Sequence, residues 1–144
     1  MKYTSKSQEE THKLGRGFAK RLKGGEVVCL YGNLGSGKTT FISGVVNYFK
    51  PKTRVLSPTF IIVRHYRFNK PPVKNLLHAD LYRLEDKPSI EALGLADFLH
   101  QPDTLVFIEW AEKLGGYKPR KCLEVSFIIK ESNEREITIS GPDN

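Results

Sequence analysis

The chain has 144 residues, of which 39% are hydrophobic and 27% are charged, a composition typical of a folded globular protein. At this length we expect a single domain spanning residues 1–144. No apolar run approaches the about 20 residues that a membrane-spanning helix needs. The first seven residues also lack the apolar centre of a secretion signal, so a cytoplasmic protein is expected.

The net charge of +7 raises the question of nucleic-acid binding. The lysines and arginines are spread along the chain, however, and no recognised nucleic-acid-binding motif accompanies them. A basic surface also suits an acidic protein partner. Sequence-specific recognition of nucleic acid is therefore not expected. Cys29 and Cys122 lie in apolar, strand-like runs, which predicts buried, reduced thiols.

The first predicted element is a helix that begins after Ser7. Ser7 and Glu10 form a capping-box pattern, in which each side chain satisfies a backbone N–H group at the start of a helix. The pair Gly24-Gly25 is expected to end it. The predicted buried stripe follows helical spacing and contains Thr11, Leu14, Phe18 and Leu22.

The next stretch carries the strongest signal in the chain. Residues 26–31 predict a buried strand, residues 32–39 fit the phosphate-binding P-loop Gly-x-x-x-x-Gly-Lys-(Ser/Thr), and residues 39–49 predict a helix. The glycines let successive backbone N–H groups point at one anion at the start of that helix. Lys38 supplies a charge for the β- and γ-phosphates, and the Thr39 hydroxyl can ligate Mg²⁺. We interpret the stretch as a nucleotide site and not as an ordinary glycine-rich turn.

The middle of the chain predicts an antiparallel pair of strands. Residues 60–68 are rich in β-branched and aromatic side chains, residues 69–72 break the run, and residues 73–79 predict a second strand. The link is too short for a parallel crossover. Residues 89–99 then predict one or two short helices, interrupted at Gly94.

Residues 104–108 predict another buried strand, and the last predicted element is a hairpin that turns at Ser132-Asn133. Together these elements predict an α/β protein with a P-loop NTPase fold, in which helices flank a mixed parallel and antiparallel sheet. The inward face of the hairpin is expected to contain Leu123, Val125, Phe127, Ile129, Ile137 and Ile139.

Acidic residues at strand ends are the next candidates, because ligands of open α/β sheets bind beyond the carboxyl ends of the strands. Glu109 follows four apolar residues and is the candidate Mg²⁺ carboxylate, against the alternative of an ordinary charge after a strand. His78 and Asp80 should lie on one side of a strand end. Asp80 could polarise the attacking water or cap the following turn, whereas His78 is expected to be a structural hydrogen-bonding residue. Thr59 could sense the γ-phosphate from a switch-like loop or belong to an ordinary turn.

Three functions are compatible with these residues. The first is an accessory ATPase whose output is conformational, the second a small-molecule or nucleoside kinase, and the third an RNA-associated basic module with vestigial nucleotide binding. A GTP-reading Asn-Lys-x-Asp motif is absent from the sequence, and no arginine-rich lid is evident. The absence of a lid and of an RNA-binding motif favours the accessory ATPase.

Taken together, the motifs resemble those of the TsaE (YjeE) family, the P-loop ATPases of bacterial tRNA threonylcarbamoyladenosine (t6A) biosynthesis. One departure is Asn33, where the family usually shows Asp, and little effect on phosphate binding is expected at this variable position. The resemblance covers nearly the whole chain, in order, through Glu10-Thr11…Leu14-Gly15, residues 37–41 (Gly-Lys-Thr-Thr-Phe), Ser57-Pro58-Thr59-Phe60, His78-x-Asp80-Leu81-Tyr82-Arg83-Leu84, Leu93-Gly94 and Ile108-Glu109-Trp110.

The resemblance implies ATP and Mg²⁺ as cofactors, with Thr39 and Glu109 as the metal ligands. It points to Asp80 and Trp110 as residues needed for activity, so that the expected catalytic set is Asp80, Lys38 and Thr59. The residues expected to contact the nucleotide are Gly35, Ser36, Gly37, Lys38, Thr39, Thr40, Thr11, Trp110 and Arg135.

The resemblance also implies partners. Proteins of this family act with the TsaD–TsaB pair, which attaches the threonylcarbamoyl group to adenosine 37 of tRNAs that read ANN codons. TsaE does not carry out that transfer, and its ATP hydrolysis is expected to reset the complex between turnovers. We therefore expect a weak, Mg²⁺-dependent ATPase that reaches tRNA through the complex, with a monomer favoured.

Overall fold

The structure is a computed structural model that describes residues 1–56, 62–85 and 87–142. Within these residues, one seven-stranded sheet is flanked by two α-helices and a 3₁₀ helix. In chain order the elements are β1 (Lys2–Ser5), α1 (Gln8–Ala19), β2 (Val27–Tyr31), α2 (Lys38–Phe49), β3 (Val63–Lys70), β4 (Val73–Asp80), β5 (Thr104–Glu109), the 3₁₀ helix (Ala111–Tyr117), β6 (Leu123–Ile129) and β7 (Arg135–Ser140).

The sheet is mixed, as the sequence predicts, and its strand order is β1-β7-β6-β2-β5-β4-β3. Its centre is parallel, since β2 pairs in parallel with β5 and β6, and β5 pairs in parallel with β4. The outer pairs β1–β7, β7–β6 and β4–β3 are antiparallel. The carboxyl ends of β2, β4 and β5 therefore meet at one edge of the sheet, where open α/β folds bind their ligands.

Helices α1 and α2 cover one face of the sheet and pack against each other through two glycines. A Cβ placed on Gly15 would lie 2.1 Å from the carbonyl oxygen of Phe41, and a Cβ placed on Gly44 would lie 2.1 Å from that of His12. Each helix thus needs a residue without a side chain where the other backbone passes. This contact fixes α2, which carries the end of the P-loop, against α1.

The opposite face of the central strands is covered by the 3₁₀ helix and by the segment around Leu81–Leu99 in the described residues, with Leu81, Leu95 and Leu114 fully buried. Cys29 and Cys122 belong to this layer, and both are buried free thiols. Burial raises the pKa of the Cys29 thiol, which suits a packing residue and not a nucleophile.

The structure differs from the sequence predictions at three points. Strand β1 was not predicted, because four residues of mixed polarity carry no pattern and gain their hydrogen bonds by pairing with the edge of β7. Residues 89–99 form successive turns where short helices were predicted. The third concerns Ile129, expected to face inward, whose residue surface is 43% exposed because the buried face of β6 ends at Phe127.

The turns over residues 89–99 have a local cause. The Ser89 hydroxyl accepts a hydrogen bond from the Ala92 N–H group at 3.1 Å, as a helix cap would. Gly94 then adopts a left-handed conformation with φ 75°, and the Leu95 N–H group bonds back to the Ile90 carbonyl. The helical hydrogen-bond pattern ends there before a second turn can form.

The predicted antiparallel pair is confirmed as β3 and β4. Positions 60 and 61, at the start of the first predicted strand, lie outside the described residues, as does the whole Ser-Pro-Thr-Phe segment. Every helix in the described part of the chain is too short or too polar to cross a bilayer.

Candidate functional site

A pocket of about 340 Å³ opens at the edge where the parallel strands end. The P-loop and the start of α2 form its floor, the ends of β4 and β5 form one wall, and the start of α1 with the β6–β7 turn forms the other. Thr59, a predicted site residue, lies outside the described residues. The pocket brings together the other predicted site residues, which are Thr11, Gly35, Ser36, Gly37, Lys38, Thr39, Thr40, Asp80, Glu109, Trp110 and Arg135.

The P-loop turns sharply because its glycines occupy conformations that other residues avoid. Gly32 follows β2 with φ 148°, and a Cβ placed there would lie 2.8 Å from the carbonyl oxygen of Phe127. Gly37 has φ 106° and is the residue from which α2 begins. A buried strand is in this way joined to a helix by a loop whose backbone faces the pocket.

The floor of the pocket has the hydrogen-bonding character of an anion site. The hydroxyl of Ser36 is buried and has no hydrogen-bond partner. The first N–H groups of α2 lie beside it, and the start of a helix carries a partial positive charge. Among the described residues, four consecutive amides donate to no backbone carbonyl, those of Gly37, Lys38, Thr39 and Thr40. Such a cradle fits phosphate oxygens.

The Lys38 side chain folds over this cradle. Its ammonium group donates to the carbonyl of Gly32 and, at 3.1 Å, to that of Asn33. Only 4% of the residue surface is exposed, and this burial lowers the pKa of Lys38, an effect that the neighbouring carboxylates oppose. A phosphate in the cradle would replace these carbonyl contacts with stronger charge-assisted ones. Asn33 takes part through its backbone carbonyl, which an Asp at this position would also supply.

Thr39 and Glu109, the two predicted metal ligands, are in direct contact. The Thr39 hydroxyl donates to Oε2 of Glu109 at 3.1 Å. In the described part of the chain, no three His, Cys, Asp or Glu side chains form a preformed metal cage. Mg²⁺ does not need one, because it is usually held by one or two protein oxygens together with phosphate oxygens and water. The residues present therefore fit Mg²⁺.

His78 contacts the same carboxylate from the other side. Its Nε2 lies 2.5 Å from Oε2 of Glu109, and the His78 residue is fully buried. A structural hydrogen-bonding role was predicted for His78, but its partner was not. The only signal for that partner is the parallel register of β4 and β5, in which Asp80 pairs with Glu109, and this register is not readable from the sequence.

Asp80 combines the two geometries that the sequence left as alternatives. Its Oδ1 accepts a hydrogen bond from the Tyr82 N–H group at 3.0 Å, which caps the turn after β4. The residue also lines the pocket, on the same wall as Glu109. The turn-capping contact is therefore present, and a role of Asp80 toward the attacking water stays a prediction.

The side chains of Trp110 and Glu109 both line the pocket. Two consecutive residues of a regular strand would instead point to opposite faces of the sheet. Strand β5 ends at Glu109, and Trp110 takes a left-handed conformation with φ 59° that breaks the alternation of side chains. Its ring packs against that of Tyr82, with the ring centroids 5.1 Å apart. The indole therefore forms the mouth of the pocket between β4 and β5.

Arg135 and Thr11 flank the P-loop from the opposite wall. The Arg135 guanidinium donates to the carbonyl of Gly35 at 3.1 Å and to that of Asn133 at 2.8 Å. Thr11 shares a hydrogen bond of 2.7 Å with the hydroxyl of Ser5. Sequence reasoning missed three further pocket residues, which are Lys6 just before α1, Leu34 in the P-loop and Asn133 in the β6–β7 turn.

Comparison with known proteins adds an independent finding. The sequence model of the family described as "Threonylcarbamoyl adenosine biosynthesis protein TsaE" matches residues 5–137. The tRNA threonylcarbamoyladenosine biosynthesis protein TsaE of Rickettsia bellii (strain RML369-C) is 36% identical over 136 residues, which cover 94% of this chain and 91% of that protein. The protein of the same name from Bacillus subtilis (strain 168) is 34% identical over 144 residues, which cover 100% of this chain and 87% of that protein.

The fold agrees with these matches. The crystal structure of Bacillus subtilis YdiB superimposes with a TM-score of 0.78 at 30% sequence identity, covering 96% of this chain and 83% of that one. The similarity thus extends over the whole α/β sheet and is not confined to the P-loop, which many unrelated proteins share. The chain belongs to the TsaE family.

Proposed function

We propose that this chain binds ATP with Mg²⁺ in the P-loop pocket and hydrolyses it. The observation that carries the proposal is the contact between Thr39 and Glu109 at the rim of the open amide cradle. It joins the two groups that a P-loop ATPase uses for its metal, a hydroxyl from the start of the helix and a carboxylate from a neighbouring strand end. The pairing supports a Mg²⁺-nucleotide site, which a P-loop kinase would also need, so the reaction itself is decided by the test below.

The chain's own residues would divide the work as follows. The N–H groups of residues 37–40 and the ammonium of Lys38 bind and orient the phosphates. Thr39 and Glu109 hold Mg²⁺, which when bound neutralises charge on the phosphate oxygens. Asp80, directed into the pocket by its turn, orients the attacking water.

The same geometry supports slow hydrolysis by the chain alone. An arginine that stabilises the transferring phosphate is worth about 10³–10⁵ in rate where an enzyme has one. Arg135, the arginine in the described pocket wall, already donates to the carbonyls of Gly35 and Asn133. We infer that full activity needs a partner.

The names of the relatives supply the biological context. Those proteins are named for tRNA threonylcarbamoyladenosine biosynthesis, and we propose the same pathway for this chain. In this proposal it is a cytoplasmic, monomeric accessory ATPase that acts on a TsaD–TsaB complex and reaches tRNA through it. The threonylcarbamoylation of adenosine 37 in ANN-reading tRNAs requires it, but the transfer itself belongs to the partners.

The test is to incubate the purified chain with Mg²⁺ and ATP, alone and with TsaD, TsaB and tRNA, and to follow both phosphate release and tRNA modification. We expect slow phosphate release alone, faster release in the complex, and repeated rounds of modification only when the chain is present. Lys38→Ala should abolish both effects, whereas Lys13→Ala, on the exposed side of α1, serves as the matched control. Transfer of phosphate to a small acceptor would instead support the kinase alternative.

A further inference from the structure

His78 is a buried polar residue to which the proposed mechanism assigns no step. It lies on β4, does not line the pocket, and places its Nε2 atom 2.5 Å from Oε2 of Glu109, whose residue surface is only 3% exposed. Burying an imidazole and a carboxylate together carries a desolvation penalty that their hydrogen bond offsets only in part, and well-packed apolar residues would often be at least as stable. Fold stability alone therefore does not explain the pair.

The contacts around Glu109 show what the pair does to the carboxylate. Oε2 accepts hydrogen bonds from two sides, from His78 on β4 and from the Thr39 hydroxyl on α2. Oε1 accepts none from any described residue. Two donors on one oxygen fix the rotation of the carboxyl group, which directs the other oxygen toward the pocket that Glu109 lines.

The remaining ring nitrogen of His78 agrees with this arrangement. Nδ1 is buried and has no hydrogen-bond partner. When the proton of the neutral ring is on Nε2, Nδ1 is a hydrogen-bond acceptor. A buried acceptor without a partner costs less free energy than a buried N–H group without one. Because His78 is fully buried and its donor is directed at Glu109, it cannot touch a nucleotide and acts only through that carboxylate.

We propose that His78 is a positioning residue that holds the carboxylate of Glu109 in the orientation that receives the divalent cation of the bound nucleotide. This inference rests on the proposed function, because it requires a metal ion at Glu109. Hydrogen-bonded partners behind a metal ligand typically change metal affinity by about 10- to 100-fold when they are removed. They leave the metal-independent part of nucleotide binding unchanged.

The decisive comparison is between His78→Asn and His78→Gln. The amide nitrogen of Gln reaches about as far from the backbone as Nε2 of His, so it can still donate to Glu109, whereas the amide of Asn stops near the position of Nδ1. The probe is N-methylanthraniloyl-ATP, whose affinity is measured in EDTA and in rising Mg²⁺, together with the electron paramagnetic resonance spectrum of bound Mn²⁺, which reports the metal's coordination.

In His78→Asn we expect the Mg²⁺ concentration for half-maximal binding to rise about 10-fold or more. The Mn²⁺ spectrum should change, and the affinity in EDTA should stay the same. His78→Gln should restore the wild-type Mg²⁺ dependence. If His78→Asn does not fold, His78→Phe, which keeps a ring but has no donor, takes its place with the same expected outcomes.

Equal Mg²⁺ dependence in wild type, Asn and Gln proteins would overturn the positioning role and leave the proposed function standing. A wild-type protein whose nucleotide affinity is the same in Mg²⁺ and in EDTA would overturn both, because no metal would then depend on Glu109.

Discussion

The ammonium group of Lys38 lies 4.6 Å from the centroid of the Trp110 ring. This is within the range of a favourable cation–π contact, and it joins the P-loop to the end of β5. Lys38 is also the residue whose charge a bound triphosphate would attract. The one tryptophan of the chain therefore reports directly on the residue at the centre of the proposed site.

Nucleotide binding should change the fluorescence of Trp110. Phosphate in the cradle would draw the ammonium of Lys38 from the carbonyls of the loop and from the indole face, and so alter the polarity around the ring. We expect saturating Mg²⁺-ATP to change the intrinsic emission of the wild type, and Lys38→Ala to show no such change at the same nucleotide concentration. An emission spectrum that is indifferent to Mg²⁺-ATP in the wild type would limit Trp110 to packing against Tyr82.

Replacing Glu109 should impair Mg²⁺-dependent ATP binding, whereas replacing Asp80 should impair hydrolysis. Glu109 contacts Thr39 and belongs to the proposed metal site, so Glu109→Ala should reduce the Mg²⁺-dependent part of ATP affinity. Asp80 faces the pocket from a capped turn, so Asp80→Ala should slow hydrolysis by about 10²–10⁴-fold, the range expected for a general base, with a smaller effect on ATP binding. Nucleotide titration with and without Mg²⁺, together with single-turnover hydrolysis, separates the two effects.

The matched control for this pair is Glu112→Ala, which removes a carboxylate that is near Lys38 but outside the pocket wall. A Glu109→Ala protein with the Mg²⁺ dependence of the wild type would move the metal carboxylate to another residue. Equal losses of binding and hydrolysis in Asp80→Ala would reduce that residue to its turn-capping role.

The contact between α1 and α2 predicts opposite effects for two Gly→Ala substitutions. A Cβ on Gly44 would lie 2.1 Å from the carbonyl oxygen of His12, so the helices must separate. Gly44→Ala should therefore lower the free energy of unfolding by about 1–3 kcal/mol. Gly17 also lies within a helix, but a Cβ there would have no atom within 4 Å. Gly17→Ala should therefore raise the free energy of unfolding by up to about 1 kcal/mol, because Ala has the higher helix propensity.

Urea denaturation of both variants checks this prediction. Because α2 begins at the P-loop, Gly44→Ala should also weaken nucleotide binding, whereas Gly17→Ala should leave it unchanged. Equal stability of the two variants would show that the helices have room to adjust at Gly44.

The predictable parts of the site are those in which one short segment contains both the functional side chains and the sequence pattern of the elements that position them. The P-loop is such a segment, because its glycines, Lys38 and Thr39 are consecutive and the flanking strand and helix have their own patterns. Glu109 was predictable for the same reason, since a buried strand leads directly to it. The mixed sheet followed from link lengths, which decide between antiparallel and parallel pairs.

What could not be predicted depends on contacts between distant segments. His78 and Glu109 are 31 residues apart, and only the register of β4 on β5 brings them together. Lys6 reaches the pocket because β1, whose sequence has no strand pattern, pairs with β7, and Asn133 reaches it because β6 pairs with β2. Trp110 has a left-handed backbone conformation at the end of β5, which places its side chain beside that of Glu109. The alternation of side chains along a regular strand would have placed the two on opposite faces.

The central claim is that the P-loop pocket binds ATP as a complex with Mg²⁺. The most direct measurement is isothermal titration of ATP into the wild type and Lys38→Ala, each in Mg²⁺ and in EDTA. We expect one site in the wild type, weaker binding in EDTA, and a loss of about 10- to 100-fold in Lys38→Ala, since a hydrogen bond to a charged group is worth about 1.5–3 kcal/mol. Far-ultraviolet circular dichroism should show both proteins folded. Equal ATP affinity in the two proteins, or no binding by the wild type, would contradict the claim.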